Sequence, residues 1–600
     1  MPRNSRSLLP LLAILATTLL AVALTGGCGI DSSTVDDGTG VLRISDSPTG
    51  APRGADLSPG EKFETNVESR EALLVILKGS VSTNTSNPYS ATLVRAIDAP
   101  IFLDVDQNEG HDHWITRAEV EDAEGNLIWT TRTNSLFQLL EFLQLLLAQQ
   151  STINLNAQQV FSLVRSQYPQ LLEFAVRVPL GLDGAKDYVL RVPDEAGNLL
   201  EVMRLDIEDL VAGKEAPRFE GDIETIIETG PSADRIEIAI LGDGYTAAER
   251  TKFELDAQAV AHRLLETSPF SEHREFFNIR TVWTPSAESG AGFDCLLNQA
   301  GCENHFRDTA FGTVFVIPAI ADRFNMDVSD ISDRVAMPVE IGKAFEVAAL
   351  ASFDEIIMIA NTRKHAGFAG LYVALVTSFD DRRSFPDVAV HELGHTFGIL
   401  GDEYMVQGDP CFFNEPRIPL PANIATLSAP EDLKWDHWLR ENTPVPTAPA
   451  SNRDFPVGAY QGAYNCAELL RPSYNCMMKS SGQNFCPVCA EQMVRRFYSV
   501  VDPSPLLPAS VERVDDETLR FEIPMWENSD HLLVTWTLNG EEISNTATLN
   551  FTNRRFGKNI EPNIWTELIA TVRDDSGFTR LDEDELVQTF TWWVKRETGE

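Results

Sequence analysis

The sequence predicts a multidomain chain in which an α/β domain is flanked by a β-rich domain with a helical insert and by a smaller C-terminal β-sandwich. Three observations predict this. The chain has 600 residues, more than one hydrophobic core can serve. Short alternating apolar stretches separated by turn residues fill 61–215 and return in 503–600, as half-buried strands require. Between them, in 216–502, continuous apolar runs follow one another with a strongly helical segment after the first, a pattern of buried strands and covering helices.

The first 28 residues read as an export signal. Arg3 and Arg6 precede an apolar run from Leu8 to Leu24, and "LTGGC" follows. A cysteine directly after small residues resembles a bacterial lipobox, which makes Cys28 the lipidated first residue and the only tie to a membrane. Plain secretion and an uncleaved anchor are the alternatives, since Thr25 stands where Leu is usual. Residues 29–60 are rich in Gly, Ser, Asp and Pro and read as a flexible tether. The expected location is the bacterial cell envelope or the medium. The 89 acidic residues against 48 basic ones give a net charge of −41, which repels phosphate backbones and argues against nucleic-acid binding.

In the β-rich domain, "ALLVILKG", "LIWTTRT" and "YVLRVPD" are strand candidates. Ser135–Gln150 and "AQQVFSLVRSQYPQLLEF" have helical spacing and predict a helical hairpin inserted into the sandwich. Asp104, Asp106, Asn108 and Asp112 place oxygen donors at alternate positions. Gly110 falls one place late for a calcium loop and no closing Glu follows, so a solvated acidic turn is favoured over a calcium site. In the C-terminal region, "LRFEIP", "LLVTWTLNG", "TELIATVRD" and "QTFTWWVK" predict an immunoglobulin-like sandwich with Trp536 as core anchor.

The central domain opens with "RIEIAILGDGY", a buried strand ending in a glycine turn, and the helix "TAAERTKFELDAQAVAHRLLE". Seven of the eight cysteines lie in this domain, and an exported chain can oxidise them. Cys295 and Cys302 are close enough in sequence to close a short loop. The "CPVC" at Cys486–Cys489 reads as a redox pair or half a zinc knuckle, with a structural role favoured because no second CxxC accompanies it.

The chemistry concentrates in "VAVHELGHTFGILGDEYM", Val388–Met405. His391 and His395 are four apart, so a helix puts both imidazoles on one face. Pro386 is tolerated in its first turn and Ser384 or Asp387 can cap it. Two imidazoles suit zinc, and Glu392 between them is placed to serve as general base. Gly398 is expected to let the chain leave the helix, bringing Asp402 back as third ligand. Glu403 is the alternative ligand, or a hydrogen-bond partner of a ligand histidine.

"HELGHTFGILGDEY" resembles the IgA-peptidase family of metzincin-like zinc metallopeptidases. The usual metzincin ligand position falls on Gly401 here, whereas the run to "DEY" fits that family. "LGDGYTAAE" at Leu241, "SPFSEHREFFNIRTVWTPSAESG" at Ser268 and "EIIMIANTRKHAGFAG" at Glu355 fit it as well, except that His365-Ala366 replaces the usual Tyr-Gly. The resemblance covers about 220–500 and implies a metzincin-like domain with Zn2+ on His391, His395 and Asp402, a water activated by Glu392 and a protein or peptide substrate. It also implies a methionine beneath the metal, Met478 favoured over Met477. An oxyanion-side tyrosine among Tyr404, Tyr464 and Tyr474, and an edge strand at Gly370–Ser378 that pairs with substrate, complete the expectation. Two other function classes stay open: a surface binding or adhesion protein with an inactive zinc domain, and a cell-wall peptide amidase.

Overall fold

The computed structural model describes residues 41–45, 62–64, 71–82, 88–102, 117–132, 157–167, 169–193, 198–296, 302–316, 319, 334–370, 373–379, 384–406, 411, 421–427, 433–505, 507, 509–527, 529–580 and 586–598. The signal segment with Cys28, the acidic stretch Asp104–Asp112 and the helix expected over Ser135–Gln150 lie outside the described residues.

Six strands build the central sheet: β1 (Asp222–Ile227), β2 (Ile236–Asp243), β3 (Phe277–Trp283), β4 (Glu355–Ala360), β5 (Gly367–Gly370) and β6 (Val373–Thr377), in the order β1-β3-β2-β4-β6-β5. The inner strands run parallel to one another and the two edge strands antiparallel. Parallel neighbours need crossovers. Helix α1 (Arg250–Glu266) carries the chain from β2 to β3, α2 (Ile341–Ala348) precedes β4, and α3 (Phe385–Thr396) follows β6.

Both faces of the inner strands are buried, which explains their continuous apolar runs. Ile238, Ile240, Ile357, Ile359 and Val376 point toward α1, α3 and a late helix α4 (Pro487–Val500). Ala239, Leu241, Ile356, Met358 and Leu375 point the other way, into a core shared with α2 and the N-terminal domain. One structural expectation fails here. The stretch Gly370–Ser378 does not supply the edge, because β6 is an inner strand with every residue buried. The chain first lays down β5, which pairs antiparallel with β6 from Gly367↔Val376 to Gly370↔Val373 and takes the edge position.

The N-terminal domain has two sheets, Glu71–Val81 with Tyr89–Phe102 and Glu173–Pro179, and Arg117–Glu121 with Leu127–Arg132, Asp187–Pro193 and Leu199–Asp206. Of the expected hairpin, the helix Ala157–Gln167 is described. It does not extend through "LLEF": Pro169 cannot continue it, and Glu173–Pro179 becomes a strand with Phe174, Val176 and Val178 buried. The domain is fastened to the central sheet by Arg177, which donates to the carbonyls of Phe353 and Asp354 at 2.9 and 2.6 Å.

The C-terminal region forms two facing sheets with Phe521, Trp536 and Trp592 packed between them at 5.2–5.7 Å centroid spacing. Two of its strands come from the other end of the chain. Val41–Ser45, read as tether, pairs antiparallel with Val587–Glu597. Lys62–Glu64, assigned by sequence to the N-terminal domain, pairs with Ser510–Glu512. The composition of 29–60 hid the strand, but "VLRIS" alternates, and Leu42 and Ile44 are fully buried.

This region meets the central domain at a buried polar cluster. His273 Nε2 lies 3.2 Å from Asp574 Oδ2, which also accepts from the Tyr498 hydroxyl at 2.7 Å. His531 meets His273 edge-on at 4.7 Å between ring centroids, with Glu275 3.9 Å away and Asp530 nearby. Burial, then repulsion by His273, pulls the His531 pKa down from 6.5 to about 4. An imidazole kept neutral by the fold contributes stability that is complete above its unfolded value and is lost as pH falls. Urea unfolding should therefore show stability dropping between pH 6.5 and 4, by at most about 3 kcal/mol from this group. His531→Phe should flatten that slope; an unchanged slope would refute the assignment.

Candidate metal centre

Helix α3 is held on both sides before it presents any chemistry. Pro386 sits in its first turn, and Phe385, Val388, Ala389, Val390 and Leu393 are buried. Asp387, in the first turn where the helix dipole favours a carboxylate, is paired with Arg263 of α1. Gly394 has no side chain because Met478 lies there: a Cβ would stand 2.5 Å from the Met478 sulfur. Met478 thus packs beneath the helix, while its neighbour Met477 contributes a backbone carbonyl.

That carbonyl orients His391, whose Nδ1 lies 3.0 Å from Met477 O. His395 is oriented in the same way, with Nδ1 2.7 Å from Leu400 O. A carbonyl only accepts, so each Nδ1 carries a proton, and it is Nε2 of each ring that turns inward, free to bind a metal when the ring is neutral. The two Nε2 atoms are 3.2 Å apart. Asp402 Oδ1 lies 3.1 Å from the first and 3.2 Å from the second.

The exit from the helix differs from the expected one. Gly398 is not the residue with positive φ; Ile399 is, at 51°, an uncommon conformation for a β-branched residue and a local strain. Gly398 is needed for close approach instead, since a Cβ there would meet the Met493 sulfur at 2.4 Å. The following loop is clamped by Asn423, which donates to Gly401 O and accepts from Gly401 N, at 2.9 and 2.8 Å.

Glu403 turns away from the histidines. It is fully buried, and its Oε1 accepts from Asn423 at 2.9 Å. Of the tyrosines, Tyr404 is nearest: its ring is 6.1 Å from His391 and its hydroxyl interacts with Asp402. Tyr464 packs against Gly401, whereas Tyr474 lies edge-on to Tyr460. His365, at the position that departs from the motif, packs on Phe379 at 4.5 Å and is not in the cluster.

Burial raises the pKa of the Glu392 carboxyl, against the two imidazoles that lower it. Asp402 is held well below the usual carboxylate range: burial opposes this, but both histidines outweigh it. Glu392 lies against the edge strand, and a Cβ on Gly367 would stand 2.0 Å from Glu392 Oε1. Gly367→Ala should displace that carboxylate and lower kcat by about 10–100-fold, with bound metal unchanged. Loss of metal or unaltered kcat would show that the contact is not what positions Glu392.

With both Nδ1 atoms held by carbonyls, the two Nε2 atoms and Asp402 Oδ1 either share protons, as the rise, against burial, of the His395 pKa to about 9 beside Asp402 reflects, or close on a cation. Tetrahedral bonds of about 2.0–2.1 Å set ligand atoms roughly 3.3–3.4 Å apart, close to the spacings found. The donor set and its spacing therefore fit a zinc-class ion.

Residues 224–456 match the family model of IgA peptidase M64. A peptidase-family domain thus occupies the middle of the chain, in keeping with the motif resemblance. The M64 match begins in β1 and includes α3, Asp402 and Asn423; α4 and the methionine pair lie past its end. No curated protein matches the chain. Sequence reasoning did not find Asn423, the carbonyls of Leu400 and Met477, or Gly367. None of these carries a local signal, since each acts through a partner distant in sequence or through its backbone.

Proposed function

We propose that the chain is an exported zinc-dependent endopeptidase. The observation that carries this reading is the convergence of His391 Nε2, His395 Nε2 and Asp402 Oδ1 beside buried Glu392 within the segment that matches a peptidase family. His391, His395 and Asp402 would hold the ion, leaving a fourth direction open as catalytic zinc sites do. When bound, zinc supplies Lewis acidity, which makes water a nucleophile near neutral pH and polarises a carbonyl.

The chain's own groups supply the rest. Glu392 takes the proton of the attacking water and returns it to the leaving amine, a role favoured by its raised pKa. Tyr404, beside His391 and Asp402, is the candidate hydroxyl for the developing oxyanion. Gly367 of edge strand β5 lies against the Glu392 carboxylate, so an extended peptide laid beside that strand would present main chain to the site. A bridge from Val335 takes one position of that edge, at Gly367.

Export is supported by the disulfides Cys295–Cys302 and Cys411–Cys466, which persist in oxidising compartments. Attachment through a lipid on Cys28 rests on the "LTGGC" stretch. The test is casein hydrolysis by the purified chain with zinc measured in the same sample. Activity lost to a chelator and restored by zinc supports the reading. Bound zinc with no hydrolysis of casein or of unfolded protein substrates would sink it in favour of a binding protein.

A further inference from the structure

The two disulfides leave Cys476, Cys486 and Cys489 unbridged and buried. An odd number of thiols cannot all be joined as disulfides. These three meet at one point: their sulfurs and a carboxylate oxygen of Glu403 all lie within 4.8 Å of one another. Cys486 N–H donates to Cys476 Sγ at 3.3 Å, and Cys489 Sγ lies 3.2 Å from Glu403 Oε1.

Glu403 supplies a second, independent sign. It has no exposure to solvent, and its Oε2 has no hydrogen-bond partner among the described residues. A buried carboxylate oxygen left unmatched is costly. A cation at the meeting point would remove that cost.

We propose that Cys476, Cys486, Cys489 and Glu403 form a second, closed metal site that takes a structural zinc ion. Three thiolates and one carboxylate complete a tetrahedron with no position for water, as structural zinc sites do, and thiolates select zinc over hard cations. Zinc–sulfur bonds of about 2.3 Å put tetrahedral sulfurs roughly 3.8 Å apart, within the observed spread. Cys486 is the N-cap of α4 and Cys489 lies in its first turn, where the helix end favours thiolate. Arg471 and Lys479 act electrostatically on Glu403 and Cys476 and offset the site's negative charge. On loading, each of the three S–H bonds breaks, its proton leaves to solvent, and the electron pair left on that sulfur binds the ion.

The site lies directly behind the candidate catalytic centre. Glu403 follows Asp402, and its N–H donates to Met478 O at 2.8 Å. Cys476 precedes Met477, whose carbonyl orients His391. The ion would therefore clamp the loop bearing Asp402 to the turn that sets His391.

A full-length His391→Ala/His395→Ala variant isolates the question, because it lacks the histidine site. After dialysis it should retain a single zinc equivalent. Loaded with cobalt instead, it should show the near-ultraviolet thiolate-to-cobalt charge-transfer absorption. Cys489→Ser added to it should abolish both. Denatured and stripped of metal, the wild type should present Cys476, Cys486 and Cys489 as reactive thiols. No retained ion, an ion without thiolate absorption, or a disulfide among these cysteines would overturn the proposal. If the variants fail to fold, wild-type cobalt protein decides alone, since the histidine site contains no sulfur and gives no such band. Failure of the endopeptidase reading would leave this spectrum unchanged.

Discussion

Glu392→Gln should lower kcat for peptide hydrolysis by about 10²–10⁴-fold while bound zinc stays as in the wild type. The amide keeps the size of the side chain and its fit beside Gly367, but it cannot take a proton. Glu392 is not among the side chains that converge on the metal position, so its loss should not release the ion. Parallel zinc analysis and initial-rate measurement check both halves. Retained activity would assign the base elsewhere; lost zinc would make Glu392 a ligand or a positioning residue.

Asp402→Asn should act through the metal itself. Its Oδ1 is the oxygen within 3.2 Å of both imidazoles, and the substitution exchanges an anionic donor for a neutral one. Zinc affinity should fall by more than the roughly 10–100-fold typical of partners behind the ligands, and activity at limiting zinc should fall with it. Titration against a competing chelator gives the affinity, and excess zinc should restore part of the rate. Unchanged affinity would exclude Asp402 from the site.

The features legible in the sequence are those set by near neighbours. His391 and His395 share a face because a helix repeats every 3.6 residues, and Asp402 is close enough in the chain to fold back onto them. The central strands announce themselves because both their faces are buried. Features that depend on distant partners stay hidden. Nothing in "VLRIS" tells that its partner is Val587–Glu597, and nothing near Glu403 tells that its neighbours are cysteines from 476 to 489. Gly398 shows a subtler limit: the need for glycine is visible, but the cause is the Met493 sulfur and not the turn.

The strand Val41–Ser45 sets an order of events. Its partner is the last described strand, so the edge of that sheet cannot be completed until Val587–Glu597 is available. Closing a loop of this length costs about 6 kcal/mol by chain statistics, growing only slowly with length. The larger consequence is temporal. A chain emerging N-terminus first exposes Leu42 and Ile44 until Val587–Glu597 arrives, and a polypeptide stopped short of that strand keeps an open, pairing-competent edge. Closure of this edge therefore waits on a segment more than five hundred residues away, and a truncation that removes Val587–Glu597 leaves Leu42 and Ile44 without their cover.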